Sequence, residues 1–272
     1  MSAPQLGPSL AAGIRVMLGT LTLALIMRHL KLRWPWEHWR ELLLLGAIAV
    51  AGPHFMYSWS SLYLPAGYSA VLNISSVLFG TFASAYLKED TLTWPRILGC
   101  VVAFAGILLI VRLGPLQPSP QLVAAAVTTI VGSALSGCTA PLLKRATTRM
   151  EPLAVTAGIH AAAFLCLAPF AVWTIPQAHF TVTALIAVAI MGIVTSGVAW
   201  WMYMRVVQKV SPVAALSSTF MITLFGVFWG HVILNESFTP ASYAGGALVL
   251  LATLLVAGFN PLKRSASVTG SP

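Results

Sequence analysis

Two ionisable side chains lie inside apolar segments of this sequence, and each needs a physical reason to be there. Arg15 follows a run of small and apolar residues, where a central arginine costs about 2.5 to 3.5 kcal/mol on insertion scales. Its guanidinium either binds the carboxylate of a solute, or pairs with a helix C-terminus, or snorkels to the interface. His54, beside Pro53, either couples proton movement to solute movement or is a neutral side chain that hydrogen-bonds a neighbouring helix.

Polar and small side chains recur every three or four residues in five segments, so each set lies along one face of a helix. The faces indicate an inner ring of helices around a polar path, although ordinary packing of small residues between helices gives the same pattern. The five faces are Ala51, His54, Ser58 and Ser61; Ser69, Asn73, Ser76, Gly80 and Ser84; Thr128, Gly132, Ser136 and Thr139; Gly192, Ser196 and Tyr203; and Thr219, Thr223, Gly226 and Gly230.

Aromatic residues form two groups. Trp34, Trp36 and Trp39 lie in a basic loop and predict an interfacial belt. Tyr57, Trp59, Trp200, Trp201 and Tyr203 either line the path, where they could stack on aromatic or cationic solutes, or face lipid. The predicted substrate-path residues are therefore Arg15, His54, Tyr57, Ser58, Asn73, Ser76, Ser136, Ser196, Trp200, Tyr203, Thr219 and Thr223. No catalytic residue, metal site or cofactor is expected.

The composition requires a membrane around these residues. The chain is 58% hydrophobic and 8% charged, with a mean hydropathy of +0.87, and runs of about 20 apolar residues recur, each long enough to cross a bilayer as a helix. The sequence thus predicts an all-α polytopic membrane protein with nine transmembrane helices. The predicted helices are 7–27, 41–61, 67–87, 95–113, 121–143, 152–173, 181–204, 212–234 and 240–259.

Basic residues alternate by side of the membrane. Of the 15 Lys and Arg residues, all except Arg15 and Arg112 lie in every second loop or in the C-terminal tail. By the positive-inside rule that face is cytoplasmic, and the C-terminus lies on it. The net charge of +9 therefore reflects membrane topology, and nucleic acid is excluded as a partner.

The chain contains an internal duplication. Leu87-Lys88-Glu89 and Leu234-Asn235-Glu236 lie 147 residues apart, each in a short turn between two apolar helices. We predict that both glutamates cap the following helix and lock the turn. The matched structural marks are Pro65 with Pro212, Glu89 with Glu236, and Gly99 with Gly246.

The duplication also relates Ala12-Gly13-Ile14-Arg15 to Ala157-Gly158-Ile159-His160, at an offset of 145. The predicted units are a first repeat at 1–113, a loop at 114–120, a second repeat at 121–260 and a tail at 261–272. Helices 1 to 4 of the sequence thus correspond to helices 6 to 9, five helices later. Because five is odd, each helix and its equivalent cross the membrane in opposite directions. The two repeats are therefore inverted, which is typical of transporters. The first repeat is one helix short; we expect that helix upstream of Met1, and a genuine nine-helix protein is the alternative.

The sequence resembles the EamA-type members of the drug/metabolite transporter superfamily. The features that carry this resemblance are the paired Leu-x-Glu turns, Gly99 and Gly246 in the following helices, and Gly13-Ile14-Arg15. The resemblance covers nearly the whole chain. It implies a ten-helix fold of two inverted five-helix repeats that exports small metabolites, such as amino acids, or drug-like compounds. The chain departs from this pattern by lacking the first helix.

We therefore expect a secondary active transporter that exports small organic solutes by alternating access, with proton coupling through His54. We expect a multi-pass protein of a bacterial inner membrane, in contact with membrane lipids. A homodimer is possible. Two alternatives remain: an incomplete or non-transporting partner subunit, and a membrane-embedded enzyme. The enzyme would need acids, bases or metal ligands concentrated at one depth, which this sequence does not supply.

Overall fold

The computed structural model describes residues 3–110, 119–222, 224–225 and 240–258. Within these ranges the secondary structure is helical, without a β-strand, and we number the long apolar helices in chain order. They are α1 (Pro8–His29), α2 (Trp36–Ser60), α3 (Gly67–Tyr86), α4 (Trp94–Ile110), α5 (Pro120–Arg149), α6 (Pro152–Gln177), α7 (Val182–Lys209), α8 (Pro212–Ile222) and α9 (Pro240–Ala257).

Six of the described helices, α1, α2, α3, α5, α6 and α7, are long and apolar enough to cross a membrane, whereas α4, α8 and α9 are shorter. The predicted all-α polytopic class is confirmed, and the count of nine crossings stays a prediction. Several residues named above lie outside the described part of the chain: Arg112, Thr223, Gly226, Gly230 and Glu236.

Helix α5 extends beyond its predicted end at residue 143. It begins at Pro120, where the Leu122 N–H donates to the Ser119 hydroxyl over 3.1 Å, and it ends at Arg149. Its last turns carry Lys144 and Arg145, which were predicted to lie in a loop. Hydropathy falls at these residues, but Lys and Arg are good helix formers and their charge is favourable at a helix C-terminus.

Two helices contain a stretch of wider π-type turns. In α2 it covers Gly46–Ala51 and ends next to Pro53, which has no N–H to donate. In α7 it covers Met191–Ala199. These positions correspond within the internal duplication, and π-turns inside α-helices are frequent at functional sites.

The centre of the molecule lies where α1, α2, α6 and α7 meet. Val16, Val50, Ile159 and Met204, one from each of these helices, are fully buried in one cluster. Close backbone contact holds α2 to α6, since a Cβ placed on Gly46 would lie 2.5 Å from the Ile159 carbonyl oxygen. Helices from both predicted repeats therefore share this core.

Helices α3 and α5 are in backbone contact. A Cβ placed on Gly137 would lie 2.1 Å from the Ser76 carbonyl oxygen and 2.8 Å from the Gly80 nitrogen. The two helices can approach this closely only because no side chain stands between them at Gly137.

Helices α4 and α9 pack against each other and expose apolar side chains on their other faces, as expected of outer helices. A Cβ on Gly99 would lie 3.1 Å from the Ala252 carbonyl oxygen, and one on Gly106 would lie 2.9 Å from the Gly245 carbonyl oxygen. Gly245 lies 146 residues after Gly99, and Ala252 lies 146 residues after Gly106. Each of the two contacts therefore repeats the other at this offset. This offset is within one residue of the 147 that relates Gly99 to Gly246 in the sequence, and the match of those two glycines stays a prediction.

Polar contacts bring several helix ends to one face of the bundle. Arg149 at the end of α5 pairs with Glu41 of α2 over 3.0 Å, and Lys144 donates to the Gln208 carbonyl at the end of α7 over 2.7 Å. The predicted arrangement of these basic residues on a single face is therefore observed.

The predicted capping role of Glu89 is wrong. Helix α4 begins at Trp94, five residues later, and the Glu89 carboxylate accepts a hydrogen bond from Arg145 Nε over 2.5 Å instead. The Glu89 N–H donates to the Ser84 carbonyl over 2.9 Å, so the turn is closed by the backbone. Glu89 pairs with a cation on a distant helix because the dipole of the nearby helix is a weaker partner for an anion.

Candidate functional site

Arg15 of α1 is held against the π-type stretch of α7. Its Nε donates to the Ser196 hydroxyl over 2.8 Å, and an Nη donates to the Thr195 hydroxyl over 3.3 Å. Gly19, one turn further along α1, allows this approach, since a Cβ there would lie 3.0 Å from the Ser196 Cβ. The side chain thus lies between two helices, where it donates to hydroxyl groups of α7.

No carboxylate among the described residues neutralises Arg15. The ion pairs in this part of the chain involve Arg96, Arg145 and Arg149. Hydroxyl groups solvate the guanidinium, but they carry no opposite charge. A positive charge is therefore left at membrane depth, where an unpaired charge is costly.

His54 of α2 lies close to this charge. The side chain is 8% exposed, and neither ring nitrogen completes a hydrogen bond with a described residue, although the Val50 carbonyl lies nearby. Arg15 and His160 are both within electrostatic range of the ring. A buried polar group without a partner usually has a functional reason.

His160 of α6 belongs to the same site, although it was not among the predicted path residues. The side chain is fully buried, and its Nδ1 donates to the Thr156 carbonyl over 2.9 Å. Because a carbonyl can only accept, the neutral ring keeps a lone pair on Nε2, and this nitrogen has no partner. His160 corresponds to Arg15 in the internal duplication, and that correspondence was the available sequence clue.

Aromatic rings extend the site along α7. The His160 ring meets the Trp200 ring edge to face, with 5.4 Å between centroids, and Trp200 meets Tyr203 in the same way at 5.6 Å. These two path candidates are therefore brought together with Arg15, His54 and Ser196. Trp201 differs, because its ring carries the Arg205 guanidinium at 5.5 Å from the centroid.

A second polar cluster joins α2, α3 and α5. The Tyr57 hydroxyl donates to Asn73 Oδ1 over 2.8 Å and lies 3.1 Å from the Ser133 hydroxyl, which also donates to Asn73 Oδ1 over 3.2 Å. Ser136 lies beside the same phenol. Tyr57 is three residues from His54 on one face of α2, so this cluster adjoins the first.

Ser133 and Thr129 of α5 were not predicted from the sequence to face the neighbouring helices. Both are fully buried, and the Thr129 hydroxyl lies 2.5 Å from the Ser60 hydroxyl of α2. The predicted face of α5 began at Thr128, one residue earlier. Adjacent residues of a helix are about 100° apart, so the two faces have the same spacing and differ only in the rotation of the helix.

Among the described residues, no hydrogen bond links the side chain of a remaining path candidate to a side chain of either cluster. The buried Ser76 hydroxyl donates to the Asn73 carbonyl of its own helix over 2.7 Å, while Ser58 and Thr219 are half-buried. Thr223 lies outside the described residues. A path role stays a prediction for these four residues, as it does for the other predicted path residues.

Two apolar grooves on the described surface are separate from this site. One, of about 340 Å³, lies between α3, α4 and α5 and is lined by Val71, Leu78 and Phe104. The other, of about 510 Å³, is lined by Trp34, Trp36 and Trp39 together with residues of α6. Neither groove includes Arg15 or His54.

In the described part of the chain, no group of three or more His, Cys, Asp or Glu residues could hold a metal ion.

Comparison with known proteins bears on the family and the fold of this chain. The family model described as the EamA-like transporter family matches residues 1–112 and 123–258. An "Uncharacterized transporter" of Archaeoglobus fulgidus is 21% identical over 255 residues, which cover 92% of this chain and 89% of the relative. A solved structure described only as a crystal structure of protein has a TM-score of 0.76 at 17% identity. That similarity covers 92% of this chain and 88% of the other, and it shows a shared fold.

Proposed function

Because the chain belongs to the EamA-like transporter family and is thus a multi-pass membrane transporter, we propose that it exports small organic solutes by alternating access between its two repeats. The two segments matched by the family model separate at residues 113–122, close to the loop expected between the repeats. We take 1–113 and 121–260 as the two halves that move, with the C-terminus on the cytoplasmic face of the plasma membrane.

The observation that carries this proposal is the hydrogen bond from Arg15 in the first half to Ser196 in the second. His54 and His160, also one from each half, lie close to it. Polar groups at membrane depth therefore meet at the boundary between the halves. A carrier needs its solute site at this boundary, so that relative movement of the halves opens the site to either side in turn.

Proton exchange is the proposed source of energy, with His54 as the exchanging group. A neutral imidazole offers one ring nitrogen as a hydrogen-bond acceptor, and protonation removes that acceptor. A proton and a solute with a hydrogen-bond donor then compete for His54, as exchange requires. The charged and titratable groups that face the ring are Arg15 from α1 and His160 from α6.

Flux into proteoliposomes tests the transport function. The purified chain should catalyse saturable counterflow of at least one labelled solute from a mixture of amino acids, organic acids and aromatic cations. Lipid vesicles without protein provide the baseline. If no labelled solute moves faster than in those vesicles, the carrier proposal is wrong and the interpretation as a non-transporting partner replaces it.

His54→Gln should abolish the response to a pH gradient while leaving downhill counterflow within about threefold of the parent rate, because glutamine is polar but does not titrate. For the parent protein, we expect an acidic vesicle interior to drive accumulation of solute, whereas an acidic exterior should not. His29→Gln is the matched control, since His29 is exposed at the end of α1. Accumulation that still follows the pH gradient in His54→Gln would remove His54 from the coupling mechanism.

A further inference from the structure

We propose that Arg15 binds a carboxylate group of the transported solute, so that the carrier selects organic monoanions over neutral compounds of the same size. This inference rests on the proposed function and adds the chemical class of the substrate. It depends on the charge balance of the helix bundle, the free donors of Arg15 and the unpaired nitrogens beside it.

The charges of the described helices leave Arg15 without a carboxylate partner. Among the described helices, Arg15 is the one Lys or Arg that lies more than five residues from a helix end. The described carboxylates lie far from it, near the start of α2 or in the turns before α4 and α6, and three of them pair with other arginines. The described part of the chain therefore places one half-buried cation here and no carboxylate to match it, and a bound anion would complete the pair.

The geometry of the guanidinium favours a carboxylate. Arginine carries five N–H donors, and two of them are used by Ser196 and Thr195. The remaining donors include an Nη pair, which can form two parallel hydrogen bonds to the two oxygens of a carboxylate. Arg15 is half-buried, so these donors are still accessible. Ser196 is a positioning residue, because it fixes the plane of the guanidinium through Nε.

The unpaired nitrogens are an independent sign of a ligand. His54 is 8% exposed, His160 is fully buried, and together they leave three ring nitrogens without partners beside Arg15. A buried polar group that is left unpaired destabilises the protein. Polar groups next to the carboxylate of the solute would pair with them, and the faces of Trp200 and Tyr203 would contact its apolar part.

A carboxylate is favoured over a phosphate for a simple electrostatic reason. Phosphate monoesters carry between one and two negative charges at neutral pH, whereas this site offers one fixed positive charge. A dianion would leave one negative charge uncompensated at membrane depth. The matching ligand is therefore a monoanion with two equivalent oxygens.

The test uses counterflow of whichever solute the reconstituted protein transports. Competitors are acetate, lactate and phenylacetate, each compared with its own primary amide, and methyl phosphate as a separate anion. In the parent protein, at least one carboxylate should compete about tenfold better than its amide. In Arg15→Gln this ratio should fall to near one. Arg15→Lys, which keeps the charge but not the planar fork, should keep part of the preference.

Arg28→Gln is the matched control, because it removes the same charge from an exposed position on the same helix; it should keep the parental ratio. Gel filtration of each variant in detergent shows whether it is folded. Equal competition by carboxylates and amides, an unchanged ratio in Arg15→Gln, or stronger competition by methyl phosphate than by any carboxylate would each overturn the inference while the transport function stands. Absence of any counterflow in the parent protein would instead overturn the proposed function.

Discussion

Gly137→Val should yield little folded protein, because it forces α3 and α5 apart. The clash occurs at the Cβ atom itself, 2.1 Å from the Ser76 carbonyl oxygen and 2.8 Å from the Gly80 nitrogen, so no side-chain rotamer can relieve it. Both obstructing atoms belong to the backbone of α3. Overpacking in a tight core costs about 1 to 3 kcal/mol and sometimes more, and we expect the upper end of this range here.

The measurement is the yield of monodisperse protein in mild detergent, which should fall severalfold, together with the melting temperature of what remains. Gly246→Ala is the control, because its Cβ would meet only the end of the Leu224 side chain, at 3.3 Å. That variant should behave like the parent protein. A Gly137→Val protein with parental yield and melting temperature would show that α3 and α5 do not pack as described.

A disulfide between α1 and α7 should stop transport, because it ties the two proposed halves together. A Cβ on Gly197 would lie 3.1 Å from the Thr22 Cβ, so a Thr22→Cys, Gly197→Cys pair needs only a few tenths of an ångström of adjustment to reach the usual Cβ separation of about 3.5 to 4.5 Å. The native Cys100, Cys138 and Cys166 are replaced by alanine in the background. Counterflow should fall at least about tenfold on oxidation and return on reduction.

Each single-cysteine variant, oxidised in parallel, shows whether the oxidant itself affects transport. Loss of reactive thiols in the double variant establishes that the bond has formed. Full counterflow through the oxidised double variant would mean that α1 and α7 stay in contact throughout the transport cycle, and movement between the halves would then have to occur along another pair of helices.

The sequence predicted the elements of this protein well, because the properties that determine them are local. Six of the nine predicted helices appear as long apolar spans, since each needs only a continuous run of apolar residues to satisfy its backbone inside a membrane. The contacts of Arg149 and Lys144 bring these two basic residues to one face of the bundle, as the loop charges predicted, and the assignment of that face to the cytoplasm stays a prediction. Arg15, His54, Ser196, Trp200 and Tyr203 were also correctly placed inside helices by composition alone.

The partners of those residues were decided by the tertiary structure. The rotation of α5 brings Thr129 and Ser133, one residue away from the predicted face, onto α2 and α3. In the same way, Glu89 pairs with Arg145, 56 positions along the chain, and does not cap the next helix.

The physical reason is that sequence periodicity gives the spacing of a helical face but not its direction. Direction is set by where two backbones can approach, as at Gly46 against Ile159 and Gly137 against Ser76, and these contacts involve residues distant in sequence. The sequence alone thus placed a charge and a histidine at membrane depth. Only the packing of α1, α2, α6 and α7 brought Arg15, His54 and His160 to one site, between the two halves that we propose.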